Sequence, residues 1–247
     1  MSLWRERGSA PPLAANEVHL WRVPLELSAP RLTERQDLLS REERARMDRL
    51  RFDWLRARYA ARRGGLRLIL ARYLGADPRA LRFEHAPQGK PMLPALPDGR
   101  RLSFNLSDSE GTALLAVAWN ATLGVDLEAM RPLPELARLA RDYFAKRERD
   151  ELFALPPAQW ERAFFRIWTQ KEAWLKGRGF GLSIDLASFT VTVRPNERRG
   201  STWSKRIRPK RRGGRCEPSR CRPASSAHSQ SRCRGHACVA SPSSDAS

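Results

Sequence analysis

The order of apolar and polar positions divides the first 193 residues into strands and helices. Alternation with a period of two predicts a strand, and apolar positions that recur every three or four residues predict a helix. Strands are predicted at 18–23, 81–84, 102–106, 124–128 and 188–193. A continuous apolar run at 113–119 predicts a further, buried strand. Helices are predicted at 40–50, 53–74, 134–144, 146–155 and 158–177.

Local signals mark several helix ends. Ser40 with Glu43 three residues later is a capping box, which predicts the start of the first helix. Gly75 ends the second helix, and the glycine-containing segment 178–181 ends the last one. The order strand, helices, strands occurs twice, over 16–119 and 120–194, although hardly any residue identities repeat. We therefore expect an α+β protein with two similar halves and an N-terminal extension at 1–15.

Residues 195–247 have a different composition, dominated by Arg, Ser, Pro, Gly, Ala and Cys. From Arg194 onward there are 14 Lys and Arg against 3 Asp and Glu, which leaves +8 of the total charge of +19 for residues 1–193. With scarcely any apolar periodicity, this segment is predicted to be a disordered basic tail. Its composition resembles that of a GC-rich gene translated out of frame.

All the cysteines lie in this tail, so the rest of the chain offers neither disulfides nor a thiolate metal site. A zinc module in the tail is the alternative to disorder, although its spacings fit no familiar zinc finger; its ligands would be Cys216, Cys221, Cys233, His236 and Cys238. The chain contains no run of 18 apolar residues and no apolar signal-peptide core. We therefore expect a cytoplasmic protein with no membrane partner.

Two segments carry the most informative chemistry. In the strand at 124–128, alternation places Asp126 and Glu128 on the same face, where the carboxylates repel each other unless a cation lies between them. In the helix at 158–177, Glu172 and Lys176 are one turn apart, next to Lys171. Oxygen ligands without His or Cys indicate Mg²⁺, and such a set suits a phosphate ester or pyrophosphate. Taken singly, each segment is better explained as a solvated polar face.

Three further features favour an anionic ligand. The polar turn at 103–111 and the stiff loop Gly89-Lys90-Pro91 could both contact phosphate oxygens. The helix at 53–74 carries a cluster of arginines with few acids nearby; these are Arg56, Arg58, Arg62, Arg63 and Arg67. The aromatic residues before the tail fall at core-like positions and no nucleic-acid motif is present, so nucleic acid is an unlikely partner.

Together these motifs resemble the surfactin-type 4′-phosphopantetheinyl transferases. The resemblance covers roughly residues 16–193 and rests on these motifs: Gly89-Lys90-Pro91, Phe104-Asn105-Leu106-Ser107-x-Ser109, Gly124-Val125-Asp126-Leu127-Glu128, and Trp168-Thr169-x-Lys171-Glu172-Ala173-x-x-Lys176-x-x-Gly179-x-Gly181-Leu182. It implies a pseudo-twofold pair of α+β halves with the active site in the cleft between them. It also implies transfer of the phosphopantetheine arm of coenzyme A to a serine of an acyl, peptidyl or aryl carrier protein, with release of adenosine 3′,5′-bisphosphate.

The resemblance also implies roles for individual residues. Asp126, Glu128 and Glu172 would hold Mg²⁺ with the coenzyme A pyrophosphate. Glu172 would also accept the proton of the carrier serine, and Lys176 would stabilise or protonate the leaving phosphate.

The resemblance implies donor binding by a second group of residues. Lys90 and Lys171 would bind coenzyme A phosphates, and Ser107 would help to fix them. Arg58 and Arg62 are expected near the nucleotide. The chain departs from the family at Asp108, where a histidine that contacts the nucleotide 3′-phosphate is usual. Because a carboxylate repels phosphate, we expect either weaker coenzyme A binding or an Asp108 side chain that turns away.

A second departure is the tail, which replaces the strands that complete the second half in the family, so that half is expected to be incomplete. The partner is expected to be an acidic carrier protein, steered by the positive charge of residues 1–193, and the enzyme to be a monomer. Two alternatives stay open: an impaired relative that binds coenzyme A or a carrier protein without turnover, and a protein that binds nucleic acid through its tail.

Overall fold

The computed structural model describes residues 10–179 and 184–193, together with the backbone of residues 236–240. The first half combines a three-stranded antiparallel sheet with three helices. Its strands are β1 (His19–Pro24), β4 (Leu102–Ser109) and β5 (Thr112–Trp119), in the order β1-β5-β4. Its helices are α1 (Ala29–Asp37), α2 (Arg41–Asp48) and α3 (Asp53–Leu74). Between α3 and β4, a short hairpin is formed by β2 (Glu84–His85) and β3 (Pro91–Met92).

The predicted helix ends are confirmed where local chemistry sets them. The Ser40 hydroxyl accepts a hydrogen bond from the Glu43 amide, and the Glu43 carboxylate accepts one from the Ser40 amide. Helix α3 ends at Gly75, whose φ of 60° lies in the left-handed region that glycine tolerates best. One face of α3 packs on the three-stranded sheet and forms the largest core, which includes Leu66, Leu70 and Leu115.

The second half follows β5 directly. It contains β6 (Gly124–Glu128), α4 (Leu136–Tyr143), α5 (Lys146–Phe153) and the long helix α6 (Trp160–Arg178). Helices α4, α5 and α6 share an aromatic core around Phe144, Phe164 and Phe165. The architecture thus mixes helices with antiparallel sheets, as the α+β expectation requires.

Helix α6 lies directly against β6 because glycines face each other at the contact. A Cβ atom added at Gly124 would lie 1.8 Å from the Ala173 carbonyl oxygen and 2.4 Å from the Gly177 nitrogen. No side chain fits there, so glycine permits the close approach of strand and helix. This contact places the acidic strand β6 beside the helix that carries Glu172 and Lys176.

The predicted strand at 188–193 is not formed, and this is a correction to the sequence analysis. A 3₁₀ turn at Leu186–Ser188 leads into irregular backbone. Side chains of α5 and α6 take up its backbone groups: Glu148 accepts from the Val191 amide, and Gln170 and Arg166 donate to the carbonyls of Thr192 and Val193. The sequence pattern shows alternation but cannot show that these distant side chains replace a neighbouring strand.

The expectation of a fully disordered tail also needs correction, at five residues. Strand β7 (His236–Ala240) pairs antiparallel with β6, with Asp126 opposite Cys238. Its sequence contains alternating Ala237 and Val239, and an unpaired edge strand such as β6 accepts such a segment readily. The rest of 195–247 lies outside the described residues, as do 1–9 and 180–183.

Several expectations about the fold stay predictions, because the described residues do not test them. Residues 120–193 of the described part contribute β6 but no further strand, so the pseudo-twofold duplication and the cleft between halves stay predictions. The proposed zinc ligands in the tail have side chains that lie outside the described part of the structure. Within the described helices, none has both the length and the apolar character required to cross a membrane.

Candidate active site

The site is built where β4 and β6 run side by side. Alternation along β4 points Asn105, Ser107 and Ser109 toward β6. Asn105 accepts a hydrogen bond from the Val125 amide (2.8 Å), and Ser109 accepts one from the Ala129 amide (2.9 Å). Side chains thus tie the two strands together in place of a backbone ladder. Asn105 and Ser109 had no predicted role, although their spacing of two residues from Ser107 places all three on the same face of β4.

Asp126 is the centre of this arrangement and is only 2% exposed. Its Oδ1 accepts a hydrogen bond from the Ser107 hydroxyl at 2.9 Å and forms a close ion pair with Lys176 Nζ. Lys176 Nζ also donates to Ser107 Oγ at 2.9 Å. The structure therefore brings together three of the predicted site residues, one each from β4, β6 and α6.

The second carboxylate oxygen of Asp126 is buried and has no hydrogen-bond partner among the described residues. A buried, unpaired carboxylate oxygen is costly unless a donor or a cation meets it. Asp126 therefore presents one oxygen that is available to a further positively charged ligand.

The other two acids of the site, Glu128 and Glu172, both have raised pKa values. Burial raises the pKa of Glu128, and the Asp126 charge raises it further. Burial likewise raises the pKa of Glu172, with contributions from Asp126 and Glu128 that Lys176 partly offsets. The negative charge of Asp126 therefore acts on both Glu128 and Glu172.

The expected metal ligands do not form a ready-made cage. Among residues 10–179 and 184–193, no three His, Cys, Asp or Glu side chains are grouped closely enough to hold a metal ion. The Lys176 ammonium lies against Asp126 instead. Magnesium sites commonly use one or two carboxylates plus waters and substrate phosphates, so a complete cage is not required. The unpaired oxygen of Asp126 and the mutual repulsion of Glu128 and Glu172 fit such an ion chemically.

Lys90 reaches the site from the turn between β2 and β3. Its Nζ donates to the carbonyls of Leu123 (2.7 Å) and Gly177 (2.9 Å), the residues next to the start of β6 and the end of α6. Burial lowers the pKa of Lys90 to about 8. A cavity of about 470 Å³ lies beside it, with Arg101 and Arg178 among its lining residues.

Arg58 and Arg62 extend from α3 toward the end of β4, where they meet Asp108. Arg62 Nε lies 2.8 Å from Asp108 Oδ1, and Arg58 Nη2 lies 3.9 Å from Oδ2. Arg58 also donates to the Glu110 carbonyl. Asp108 therefore faces the arginines of α3, and the two outcomes expected for it, weaker coenzyme A binding or a side chain that turns away, both stay predictions.

Lys171 does not line the site, which corrects its expected role in phosphate binding. It is 0% exposed, and its Nζ forms an ion pair with Glu148 Oε2 at 2.8 Å. Two carbonyls, those of Leu186 and Phe189, accept its other hydrogen bonds at 2.7 Å each. With these three partners and no solvent access, the Lys171 ammonium has a structural role in the core and is not accessible to a phosphate. Glu148 was not predicted as an important residue, because acids are common in the first turn of a helix. Only its ion pair with the distant Lys171 distinguishes it.

Comparisons with known proteins identify the family to which the chain belongs. Residues 122–214 match the 4′-phosphopantetheinyl transferase superfamily. The 4′-phosphopantetheinyl transferase HetI of Nostoc sp. is 41% identical over 185 residues, which are 75% of this chain and 78% of that protein.

Two further relatives match over shorter segments. The 4′-phosphopantetheinyl transferase Sfp of Bacillus subtilis is 32% identical over 128 residues, 52% of this chain and 54% of that protein. AcpT of Salmonella typhimurium, also named a 4′-phosphopantetheinyl transferase, is 39% identical over 127 residues, 51% of this chain and 62% of that protein. The resemblance found in the motifs is thus confirmed over most of the length of one relative and over more than half of two others, and the chain belongs to the 4′-phosphopantetheinyl transferase superfamily.

Proposed function

We propose that this protein transfers the 4′-phosphopantetheine arm of coenzyme A to a serine of a carrier protein and releases adenosine 3′,5′-bisphosphate. The observation that carries the proposal is the 41% identity to HetI over 78% of that protein. The contact of Ser107, Asp126 and Lys176 supports it, because these residues belong to three separate motifs of the family resemblance.

Glu172 is the proposed general base. A serine hydroxyl is a poor nucleophile until a base accepts its proton, and a base works best when its pKa approaches the working pH. Burial and the neighbouring acids raise the pKa of Glu172 in that direction. As the serine oxygen bonds to the phosphorus that bears the pantetheine arm, the bond from that phosphorus to the bridging oxygen breaks. Lys176, one turn along α6, would stabilise or protonate the departing phosphate.

Donor binding is assigned to Lys90, Arg58 and Arg62, with Ser107 in a positioning role. The Ser107 hydroxyl spans Asp126 and Lys176, so it fixes the charged pair beside which the diphosphate would lie. Arg58 and Arg62 bring two positive charges to the edge of the same strand, although Asp108 neutralises part of that charge. Lys171 is omitted from this set because its amine is buried in the core.

Mg²⁺ is the proposed metal, held by Asp126, Glu128 and Glu172 together with the donor. A bound Mg²⁺ would supply positive charge that offsets the charge on the diphosphate. The unpaired oxygen of Asp126 supports this assignment. We further propose that the carrier protein is acidic and that the enzyme acts in the cytoplasm as a monomer.

Mass spectrometry of a carrier protein tests the proposal. An apo acyl carrier protein and an apo peptidyl carrier domain would each be incubated with the full chain, coenzyme A and Mg²⁺. At least one should gain the mass of a single phosphopantetheine group on its serine, and chelation of the metal should prevent the gain. Binding of coenzyme A without modification of either carrier would instead support the impaired relative. Salt-dependent nucleic-acid binding that disappears with residues 195–247 would support the third alternative.

A further inference from the structure

An exposed aromatic pair occupies the start of α3. Phe52 is 48% exposed and Trp54 is 58% exposed, and both are large apolar side chains. Their rings are almost parallel, at 12°, with centroids 6.4 Å apart. The Arg51 guanidinium lies 5.2 Å from the centroid of the Phe52 ring. A contiguous apolar surface of this kind commonly marks an interaction site.

The aromatic pair borders the candidate active site. Trp54, Arg58 and Arg62 are spaced by four residues, so they follow one face of α3. Four residues of α-helix correspond to about 6 Å along the axis, which separates Trp54 from Arg58 by only one turn. Arg58 in turn contacts the Glu110 carbonyl and approaches Asp108, next to Ser107. A partner that covers Trp54 would therefore reach the rim of the site.

The surroundings of the aromatic pair are positively charged. Arg49 and Arg51 are exposed, and neither forms an ion pair with any residue in 10–179 or 184–193. Between 49 and 58 the chain has four arginines and a single acid, Asp53, which pairs with Arg56. We call Arg49, Arg51, Phe52 and Trp54 the Trp54 patch. None of its members lines the cavity beside Lys90.

Charge and composition decide which class of ligand suits this patch. Small molecules are usually held in concave pockets, whereas exposed Trp and Arg beside each other are typical of protein interface hot spots. Unpaired arginines around the aromatic rings select a partner that bears carboxylates.

We propose that the Trp54 patch is the docking surface for an acidic carrier protein. This inference rests on the proposed function, since it assigns the second substrate to a particular surface. Docking there would hold the carrier at the edge of the site formed by Ser107, Asp126 and Lys176.

A binding measurement combined with kinetics tests the inference. The probes are fluorescently labelled apo acyl carrier protein and apo peptidyl carrier domain, titrated with the full chain. The double variant Phe52→Ala/Trp54→Ala should raise the Kd for the bound carrier about tenfold or more, and the KM for that carrier in parallel. The KM for coenzyme A should stay within about twofold. Arg51→Glu should also raise the Kd and should reduce its dependence on salt.

Phe153→Ala is the matched control, because Phe153 is an exposed aromatic residue (37%) on α5. It should leave the Kd and both KM values unchanged, and thermal melts should show that every variant is folded. An unchanged carrier Kd in the double variant overturns the inference. A raised KM for coenzyme A with an unchanged carrier KM also overturns it, since the patch would then contact the nucleotide.

The inference and the proposed function fail in different ways. If the wild type binds a carrier through the Trp54 patch but transfers nothing, the patch stands and the proposed function fails. If transfer proceeds and the double variant is unaffected, the function stands and the patch assignment fails. If neither carrier binds or is modified, both are overturned.

Discussion

Replacing Lys171 with methionine should destabilise the fold strongly while leaving the coenzyme A site intact. The substitution removes an ion pair and two hydrogen bonds to carbonyls, all within a fully buried environment. Glu148, only 1% exposed, would keep the amides of Ala145 and Val191 as donors but would lose its counter-ion. Removing one partner of a buried ion pair costs about 3–5 kcal/mol. Since whole domains are stable by only about 5–15 kcal/mol, this is a large fraction of the free energy of unfolding.

The double variant Lys171→Met/Glu148→Gln separates the loss of packing from the buried charge. A glutamine side chain in place of Glu148 would be neutral, so the uncompensated charge disappears. Because the Ala145 and Val191 amides donate to different oxygens of Glu148, the single amide oxygen of glutamine would accept from only one of them. The double variant should still be more stable than Lys171→Met alone, by about 1 kcal/mol or more, because removal of the buried charge outweighs the one hydrogen bond that is lost. Urea unfolding followed by circular dichroism would measure this, provided that the m-values agree among the variants.

Two results would refute this reasoning. A double variant whose loss is the sum of the two single losses would show that the residues do not act as a pair. A folded Lys171→Met protein whose KM for coenzyme A is raised more than about tenfold would show that Lys171 does contribute to phosphate binding.

The remaining predictions concern the site itself. Glu172→Gln should lower kcat by about 10²–10⁴-fold, and in the wild type the kcat profile should lose activity as pH falls through a pKa above 4.5. Because the pKa of Lys90 is about 8, kcat/KM for coenzyme A should fall as pH rises through that value as the ammonium loses its proton, whereas Lys90→Arg should show no such fall. Asp108→Asn should lower the KM for coenzyme A about threefold to tenfold, because it releases the arginines of α3 from a competing carboxylate. Gly124→Ala should lower the free energy of unfolding in urea by about 1–3 kcal/mol, since its methyl group would collide with the backbone of α6.

Local chemistry made part of the fold predictable from the sequence. The capping box at Ser40 and the stop at Gly75 depend on residues a few positions apart, and both appear as predicted. The strand at 124–128 is also observed, as is the long helix that carries Glu172 and Lys176. Spacing along one element was enough in each case.

Features that depend on distant partners could not be predicted in the same way. Lys171 and Glu172 are adjacent in sequence, yet the Lys171 amine enters the core while the Glu172 carboxylate stays partly exposed and feels the charge of Asp126. Helical spacing places consecutive residues about 100° apart but does not say which direction is the core. The partners Glu148 and Phe189 lie 23 and 18 positions away, and they decide the direction for Lys171.

The junction of β6 and α6 explains why so much of the site depends on glycine. Gly124 and Gly177 let the backbones touch, and the carbonyl of Gly177 then faces the Lys90 ammonium. Asp126 is two residues after Gly124, and Lys176 directly precedes Gly177. Any widening of the contact would therefore separate Asp126 from Lys176 and would also move the Gly177 carbonyl away from Lys90. The distance between strand and helix therefore controls both the acidic cluster and the donor-binding lysine. A side chain at Gly124 should therefore impair the acidic cluster and the position of Lys90 together, even though this glycine provides no reactive group.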